Sequence, residues 1–187
     1  CVSESGSHII TGADKEDTQA SNAGAAYIFN APEYASGSVT NYGVCVVDAI
    51  LEGVDNNEGQ GESVAINKDG TLLAVGAKNS DHSGNSNGGA VRVYKKSGGT
   101  WTLKQTLTSN QHVSGQNNYY GKSVVMAADD YTIVVGKGSA GYNARGVHVW
   151  TSSDNGENWS TQANLLGSGV VGSDTYGEDN NIDISDD

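Results

Sequence analysis

Two glycine-rich segments carry the residue spacing of catalytic or cofactor-binding loops. Residues 136–141 read G-x-G-x-x-G, the spacing of a dinucleotide-binding turn, and residues 84–88 read G-x-S-x-G, the spacing of a hydrolase nucleophile turn. Both functions require a helix directly after the turn. The residues that follow predict a strand or a polar loop instead, so we interpret both segments as loops and assign no catalytic residue.

Side chains that could bind metal ions are few and scattered. The four histidines, which show no zinc-site spacing, are His8, His82, His112 and His148. Asp17 and Asp81 each lie five residues after a repeated glycine, and oxygen-rich loops at these positions could bind calcium weakly. Solvated loop acids are the simpler interpretation, so we predict no cofactor and leave calcium open.

The two cysteines, Cys1 and Cys45, bear on the compartment. We predict that both are oxidised, within one chain or between two, because paired cysteines persist in oxidising compartments. A lipid-modified N-terminal cysteine is a further interpretation of Cys1. The chain begins with Cys1 rather than Met, so we expect a processed product or a part of a longer protein. The predicted location is extracellular or at the cell surface.

Charge and composition exclude several classes of partner. Against 22 Asp and Glu the chain has 10 Lys and Arg, which gives a formal net charge of −12 and a pI near 4.5. A nucleic acid backbone or an anionic membrane surface would be repelled. The apolar runs are far shorter than the roughly 20 residues that span a bilayer, so we predict no membrane insertion. Gly accounts for 26 of the 187 residues, which indicates many turns.

Internal repeats determine the predicted fold. Residues 61–77 recur as 121–137, residues 88–107 recur as 145–166, and 7–29 is a more diverged copy. A fixed period of this length is typical of solenoids and propellers. We divide the single domain into three units and a closing segment, which are 1–58, 59–118, 119–175 and 176–187.

Each complete unit predicts four strands, a to d, from short Val- and Ile-rich groups separated by Gly, Asn, Asp and Ser. In the middle unit these strands are 62–66, 71–75, 90–94 and 101–107. A two-residue hairpin at Asp69-Gly70 would join strands a and b. The predicted fold class is all-β, with three four-stranded antiparallel repeat sheets similar to β-propeller blades.

The two ends of the chain are complementary. The first unit begins at its a to b turn, and residues 179–186 predict a lone strand a in which Ile182 and Ile184 share one face. We expect this strand to pair with the first unit at the edge that carries Ile9 and Ile10, in the same chain or a neighbouring one. Pairing between chains would give a ring or an open filament. The alternative partner is a further blade of the same chain.

Two repeated glycine pairs carry a family resemblance. Tyr120-Gly121 and Tyr176-Gly177 stand at one position, and Gly12-Ala13 and Gly76-Ala77 at another, with Gly136-Lys137 as a departure. This pattern resembles the FG-GAP repeats of integrin-type β-propellers and of many secreted microbial proteins. The resemblance implies propeller blades and an adhesive role. The family's D-x-D-x-D-G calcium loop is absent from all units.

A second motif lies at the predicted c to d turn of the third unit. Ser152, Asp154, Gly156 and Trp159 fit S-x-D-x-G-x-x-W, which is similar to the Asp-box of sialidases and other propellers. The resemblance implies a structural turn in which Asp binds backbone amides and Trp packs beneath. Asn158 lies in the same turn and begins the N-x-S/T sequon, so we expect that it could carry a glycan.

These features favour a non-enzymatic extracellular structural or adhesive module whose blades associate with copies of itself or with further blades. One alternative is a carbohydrate-binding or sialidase-like propeller that contacts a glycan or a surface protein. A sialidase needs an arginine cluster, and the chain has only Arg92 and Arg145. The other alternative is a calcium-dependent ligand-binding head. Fold alone does not separate these functions.

Overall fold

A computed structural model of the chain describes residues 1–31, 45–82, 86–109, 117–127, 130–138, 146–165 and 182–184. Over these residues the protein is all-β, with eleven strands in three antiparallel sheets. No helix in the described part is long and apolar enough to cross a membrane. The predicted all-β class with three antiparallel sheets is thereby confirmed, but one of these sheets has three described strands where four were predicted.

Each sheet is a meander in which sequential strands are neighbours. Sheet I contains β1 (His8–Ala13), β2 (Ala25–Asn30) and β3 (Val46–Glu52). Sheet II contains β4 (Gln60–Ile66), β5 (Leu72–Ala77), β6 (Ala90–Ser97) and β7 (Thr100–Leu107). Sheet III contains β8 (Tyr120–Met126), β9 (Thr132–Lys137), β10 (Gly146–Thr151) and β11 (Ser160–Leu165).

Sheet II follows the strand prediction closely, but the connection between β4 and β5 does not. Five residues, 67–71, join these strands instead of a two-residue hairpin. The reason is the side chain of Asn67, whose Oδ1 accepts hydrogen bonds from the backbone N–H groups of Thr71 at 2.7 Å and Leu72 at 2.8 Å. The left-handed backbone of Gly70, with φ of 73°, completes this wider turn.

Sheet II lies between the other two sheets and is buried on both faces. In β5, every residue of which is buried, Leu73 and Val75 pack in a cluster with β1 and β2. The alternate residues Leu72 and Ala74 pack in a second cluster with β8, β9 and Trp159. Successive side chains of a strand point to opposite faces, so a strand covered on both sides is apolar throughout.

Repeated glycines allow the sheets to approach each other closely. A Cβ atom on Gly12 of β1 would overlap the backbone carbonyl of Gly61 in β4, and one on Gly76 of β5 would overlap that of Gly121 in β8. Ser63 Oγ also donates a hydrogen bond to the Gly121 carbonyl at 2.8 Å. We call the contact between sheets I and II junction 1, and that between sheets II and III junction 2.

Sheet I has three strands where the others have four. Among the described residues no strand of sheet I corresponds to β4 or β8, so β1 forms an edge of the sheet. Residues 1–3 fold back antiparallel along the first half of β1, where Val2 bridges Ile9 and the Ile10 N–H donates to the Cys1 carbonyl at 2.8 Å. The edge that was predicted to be open at Ile9 and Ile10 is therefore occupied there. Among the described residues, none pairs with the remainder of this edge at residues 11–13.

The predicted terminal strand is described only at residues 182–184. Ile182 and Ile184 are half-buried there and belong to no strand. The rest of segment 179–186 lies outside the described residues. So do His112, Arg145, Tyr176-Gly177 and residues 139–141 of the loop at 136–141.

Candidate functional site

The loops between β1 and β2 and between β5 and β6 are closed by the two aspartates that were considered as calcium ligands. Asp17 Oδ1 accepts the backbone N–H of Asn22 at 2.6 Å, and Asp81 Oδ1 accepts that of Asn87 at 2.8 Å. Both asparagines have left-handed backbones, which Asn tolerates better than most residues. Within the described ranges, no group of three or more His, Cys, Asp and Glu side chains could hold a metal ion.

Each of these loops contacts the connection that leads into the next sheet. Asn22 Nδ2 donates to Asn57 Oδ1 at 3.2 Å in junction 1, and Asn87 Nδ2 donates to Asn117 Oδ1 at 3.2 Å in junction 2. Two backbone hydrogen bonds also recur: the N–H groups of Gly59 and Gln60 donate to the Asn22 and Ala23 carbonyls, and those of Tyr119 and Tyr120 donate to the Asn87 and Gly88 carbonyls. The two junctions therefore share this part of their geometry.

One position differs sharply between the two junctions. Junction 1 has Gly59, with φ of 68°, where junction 2 has Tyr119, with φ of 47°. The Tyr119 hydroxyl accepts a hydrogen bond from Asn117 Nδ2 at 2.9 Å, so its side chain lies along the amide pair. In junction 1 this space is open, because a Cβ on Gly59 would meet only Asn79 Nδ2 at 3.4 Å and the Asp14 carbonyl at 3.9 Å.

A cavity of about 340 Å³ lies at this open place in junction 1. Gly59 forms part of its wall, and the other lining residues are Asp14, Lys15, Asn22, Asn57, Lys78 and Asn79. The cavity thus combines three carboxamides, one carboxylate and two ammonium groups. Such groups donate and accept hydrogen bonds from a polar ligand.

A buried ion pair lies behind this cavity, on the connection between β3 and β4. The Glu58 side chain is fully buried and accepts a hydrogen bond from Arg92 of β6 through Oε1, and the backbone N–H of Val54 donates to Oε2 at 3.0 Å. Arg92 also donates to Gln60, whose Nε2 donates to the Leu51 carbonyl at 2.6 Å. These bonds fix the path of the chain from sheet I into sheet II.

The equivalent place in junction 2 contains different chemistry. Lys137 stands where sheet II has Ala77, and His148 stands where sheet II has Arg92. Both side chains are fully buried, with Lys137 Nζ 3.2 Å from His148 Nε2. Burial lowers the pKa of Lys137 to about 8. Burial, followed by the charge of Lys137, lowers the pKa of His148 to about 4.

An aromatic pair packs against this lysine and histidine. The ring of Tyr120 meets that of His148 edge to face, with centroids 5.2 Å apart. Its hydroxyl accepts a hydrogen bond from Trp150 Nε1 at 2.6 Å. Burial raises the pKa of Tyr120 far above its usual range, so this phenol stays neutral. The cluster is closed to solvent, and we interpret it as part of the packing of sheet III.

The turn between β10 and β11 has a dense set of local hydrogen bonds. Asp154 Oδ1 accepts the backbone N–H of Asn158 at 2.8 Å, and the Gly156 N–H donates to Ser152 Oγ at 2.9 Å. Hydrogen bonds from the Asn158 side chain and backbone lower the pKa of Asp154 to about 2. Trp159 is buried, and Gly156 has φ of 78°. These residues make a rigid turn, and exposed Asn158 donates its Nδ2 to Asp154.

Cys1 and Cys45 are free and exposed in the structure, and no bond joins them. Pairing of either cysteine with another chain remains a prediction. Alkylation of the unreduced protein would leave both thiols unlabelled if they are oxidised, whereas two labelled thiols would contradict the prediction.

Sequence reasoning missed the cavity and the two buried polar clusters. Asn57 and Asn117 are 60 residues apart, as are Lys137 and Ala77, so the repeat alignment contains these pairs. It does not say which loops face each other. No protein-family model matches the chain, and no curated protein is significantly similar to it.

Proposed function

We propose that the protein is a non-enzymatic extracellular module of structural or adhesive function, built of FG-GAP-like blades. Neighbouring molecules associate head to tail through their terminal segments into a ring or a filament. The observation that carries this proposal is the edge of β1, which residues 1–3 cover only in part. Unpaired strand edges recruit further strands.

The repeated junction supports association of further units. Ser63 Oγ donates to the carbonyl of Gly121 in the next sheet. Ser123 occupies the same position in sheet III, where its Oγ is buried and no hydrogen-bond partner is described for it. A buried hydroxyl without a hydrogen-bond partner lowers the stability of the fold. Sheet III therefore carries a hydroxyl donor that suits a backbone carbonyl of a following strand.

Ionic contacts between neighbouring sheets also suit a rigid structural role. Lys96 Nζ lies 2.8 Å from Asp48 of sheet I, and Lys95 Nζ lies 2.7 Å from Glu157 of sheet III. Hydrogen bonds from Lys96 and Trp101 outweigh the burial of Asp48 and lower its pKa. The charged groups of the junctions thus hold sheets together, as a scaffold requires.

The two motifs of the sequence fit the same proposal. The close approach of Gly76 to Gly121 gives a physical reason for glycine at both repeated positions. The hydrogen-bonded turn around Asp154, with Trp159 packed in the core of junction 2, supports a structural role for this turn. These local likenesses support an FG-GAP-like assignment of the blades.

The experiment is light scattering during size-exclusion chromatography of the full chain and of a chain that lacks residues 180–187. We expect the full chain to form oligomers and the deletion to give monomers or short oligomers. Ile182→Thr with Ile184→Thr should act like the deletion without a change of charge, whereas Asp183→Asn is the matched control. A full chain that stays monomeric, or a deletion that assembles undiminished, would contradict strand exchange.

A further inference from the structure

We infer that the cavity of junction 1 binds one unit of a neutral saccharide. This inference concerns the loop end of the sheets and does not depend on how the molecules assemble. The volume of the cavity, about 340 Å³, lies within the range of small-molecule sites. A hexose fits such a space, and its hydroxyl groups need both donors and acceptors around them.

The side chains of the cavity supply both in a fixed arrangement. Asn22 and Asn57 have left-handed backbones, with φ of 49° and 59°, and are joined to each other by a hydrogen bond. The Asp17 carboxylate holds the backbone of Asn22 in place. Asn79 lies opposite, and none of its side-chain atoms has a hydrogen bond within the described ranges, so its amide is free for a ligand. Fixed donors and acceptors lower the entropic cost of binding.

The balance of charge favours a neutral ligand over an ion. Lys78 Nζ is paired with Glu62 at 2.6 Å, which neutralises one of the two ammonium groups. Lys15 and Asp14, which both line the cavity, carry opposite charges. With both lysines matched by a carboxylate, the wall offers no net charge to an ion of either sign, and an anion would also approach a chain of formal charge −12. Hydroxyl groups can bond to Lys and Asp side chains without leaving a charge uncompensated.

Junction 2 has a tyrosine at the place where junction 1 has Gly59. Tyr119 puts an aromatic side chain along the amide of Asn117, where junction 1 has only the hydrogen atom of Gly59. Since Tyr119 adopts a left-handed backbone close to that of Gly59, tyrosine is compatible with this position. Gly59→Tyr therefore copies a side chain that the protein already uses into the cavity.

The experiment follows the backbone amide signals of the full chain by ¹H–¹⁵N NMR. The probes are the methyl glycosides of glucose, galactose, mannose and N-acetylglucosamine, with glucuronate and inorganic phosphate as anionic probes. For ligands of this size we expect a dissociation constant on the order of 1 mM for at least one neutral glycoside. The shifted signals should belong to Asp14, Lys15, Gly59 and Asn79.

Variants separate binding in the cavity from binding elsewhere. Gly59→Tyr should abolish the shifts, and Asn79→Ala should weaken binding by about tenfold through loss of one hydrogen-bonding group. Gly98→Tyr is the matched control, because Gly98 also has a left-handed backbone, with φ of 58°, and has open space around it. The control should bind as the natural chain does.

Three results would overturn the inference. The first is the absence of saturable shifts with every neutral glycoside. The second is a response to glucuronate or phosphate alone, which would indicate an anion site. The third is unchanged binding by both Gly59→Tyr and Asn79→Ala, and the second of these variants serves even if the first fails to fold.

Discussion

Replacement of Gly76 by alanine tests the close contact on which junction 2 depends. The new Cβ would overlap both the Gly121 carbonyl oxygen and Ser63 Oγ. Gly76 does not have a left-handed backbone, so alanine can adopt its conformation and the cost is steric. Two backbones must separate by a distance on the order of 1 Å to restore normal contact. The hydrogen bond from Ser63 to Gly121 is then stretched or lost.

The expected change in the free energy of unfolding combines two destabilising terms with one smaller stabilising term. Overpacking costs about 1 to 3 kcal/mol, and loss of the Ser63 hydrogen bond adds about 1 kcal/mol. The lower entropy of an unfolded chain with alanine restores roughly 0.4 to 1 kcal/mol. We therefore expect the free energy of unfolding of Gly76→Ala to fall by about 1 to 3.5 kcal/mol. For a chain of this length each kcal/mol lowers Tm by about 2 to 4 °C, so Tm should fall by about 2 to 14 °C.

Urea unfolding followed by tryptophan fluorescence measures this loss, since Trp150 and Trp159 pack in the cluster of junction 2. The control is Gly98→Ala, whose Cβ would meet no atom within 4 Å. Its left-handed backbone, offset in part by the lower entropy of the unfolded chain, should cost about 1 kcal/mol. If Gly76→Ala proved as stable as Gly98→Ala, close approach would not be the reason for glycine at this position.

Three further substitutions test the buried groups. Trp159→Ala should lower the free energy of unfolding, measured with urea, by about 3 to 5 kcal/mol because it empties a buried site. A loss below about 1 kcal/mol would show that the turn contributes little to packing. Arg92→Met should cost about 3 to 5 kcal/mol because it leaves Glu58 buried without a cation, whereas the double variant with Glu58→Gln should recover part of this loss. His148 has a folded pKa of about 4 against an unfolded value near 6.5, so stability should fall by about 2 to 3 kcal/mol as pH falls through this window. His148→Gln should reduce that pH dependence. The smaller part that remains comes from His8, whose pKa is also lowered by burial. An unchanged pH dependence would contradict the assignment of this effect to His148.

The strands were predictable because their apolar spacing repeats. β5 is apolar at nearly every position, which is what a strand covered on both faces requires, and its copy β9 has the same pattern. The turn before β5 was predicted too short, because the side chain of Asn67 replaces backbone bonds that a two-residue hairpin would make. Side-chain bonds of this kind depend on orientation, which spacing does not encode.

The candidate site was not predictable because it arises where equivalent positions differ. Gly59 and Tyr119 lie at the same place in two units, and only the packed sheets show that one leaves a cavity and the other fills it. Arg92 and His148 are a similar pair, since their partners Glu58 and Lys137 come from other strands and connections. Glu58 and Arg92 are 34 residues apart, and Lys137 and His148 are 11 apart, so no short motif marks either pair.

Positions that repeat between the units and positions that differ serve two separate functions in the same fold. Positions that repeat, such as Gly76 and Ser63, hold sheet against sheet, and the proposed assembly extends the same contact to another molecule. Gly59, a position that differs, lies in a connection at the ends of the strands, where a change of side chain leaves the sheets intact. It follows that Gly59→Tyr should abolish glycoside binding without altering the mass of the assembly. Ile182→Thr with Ile184→Thr should reduce that mass without altering binding, and a variant that changed both properties together would show that the loop end and the strand edge are coupled.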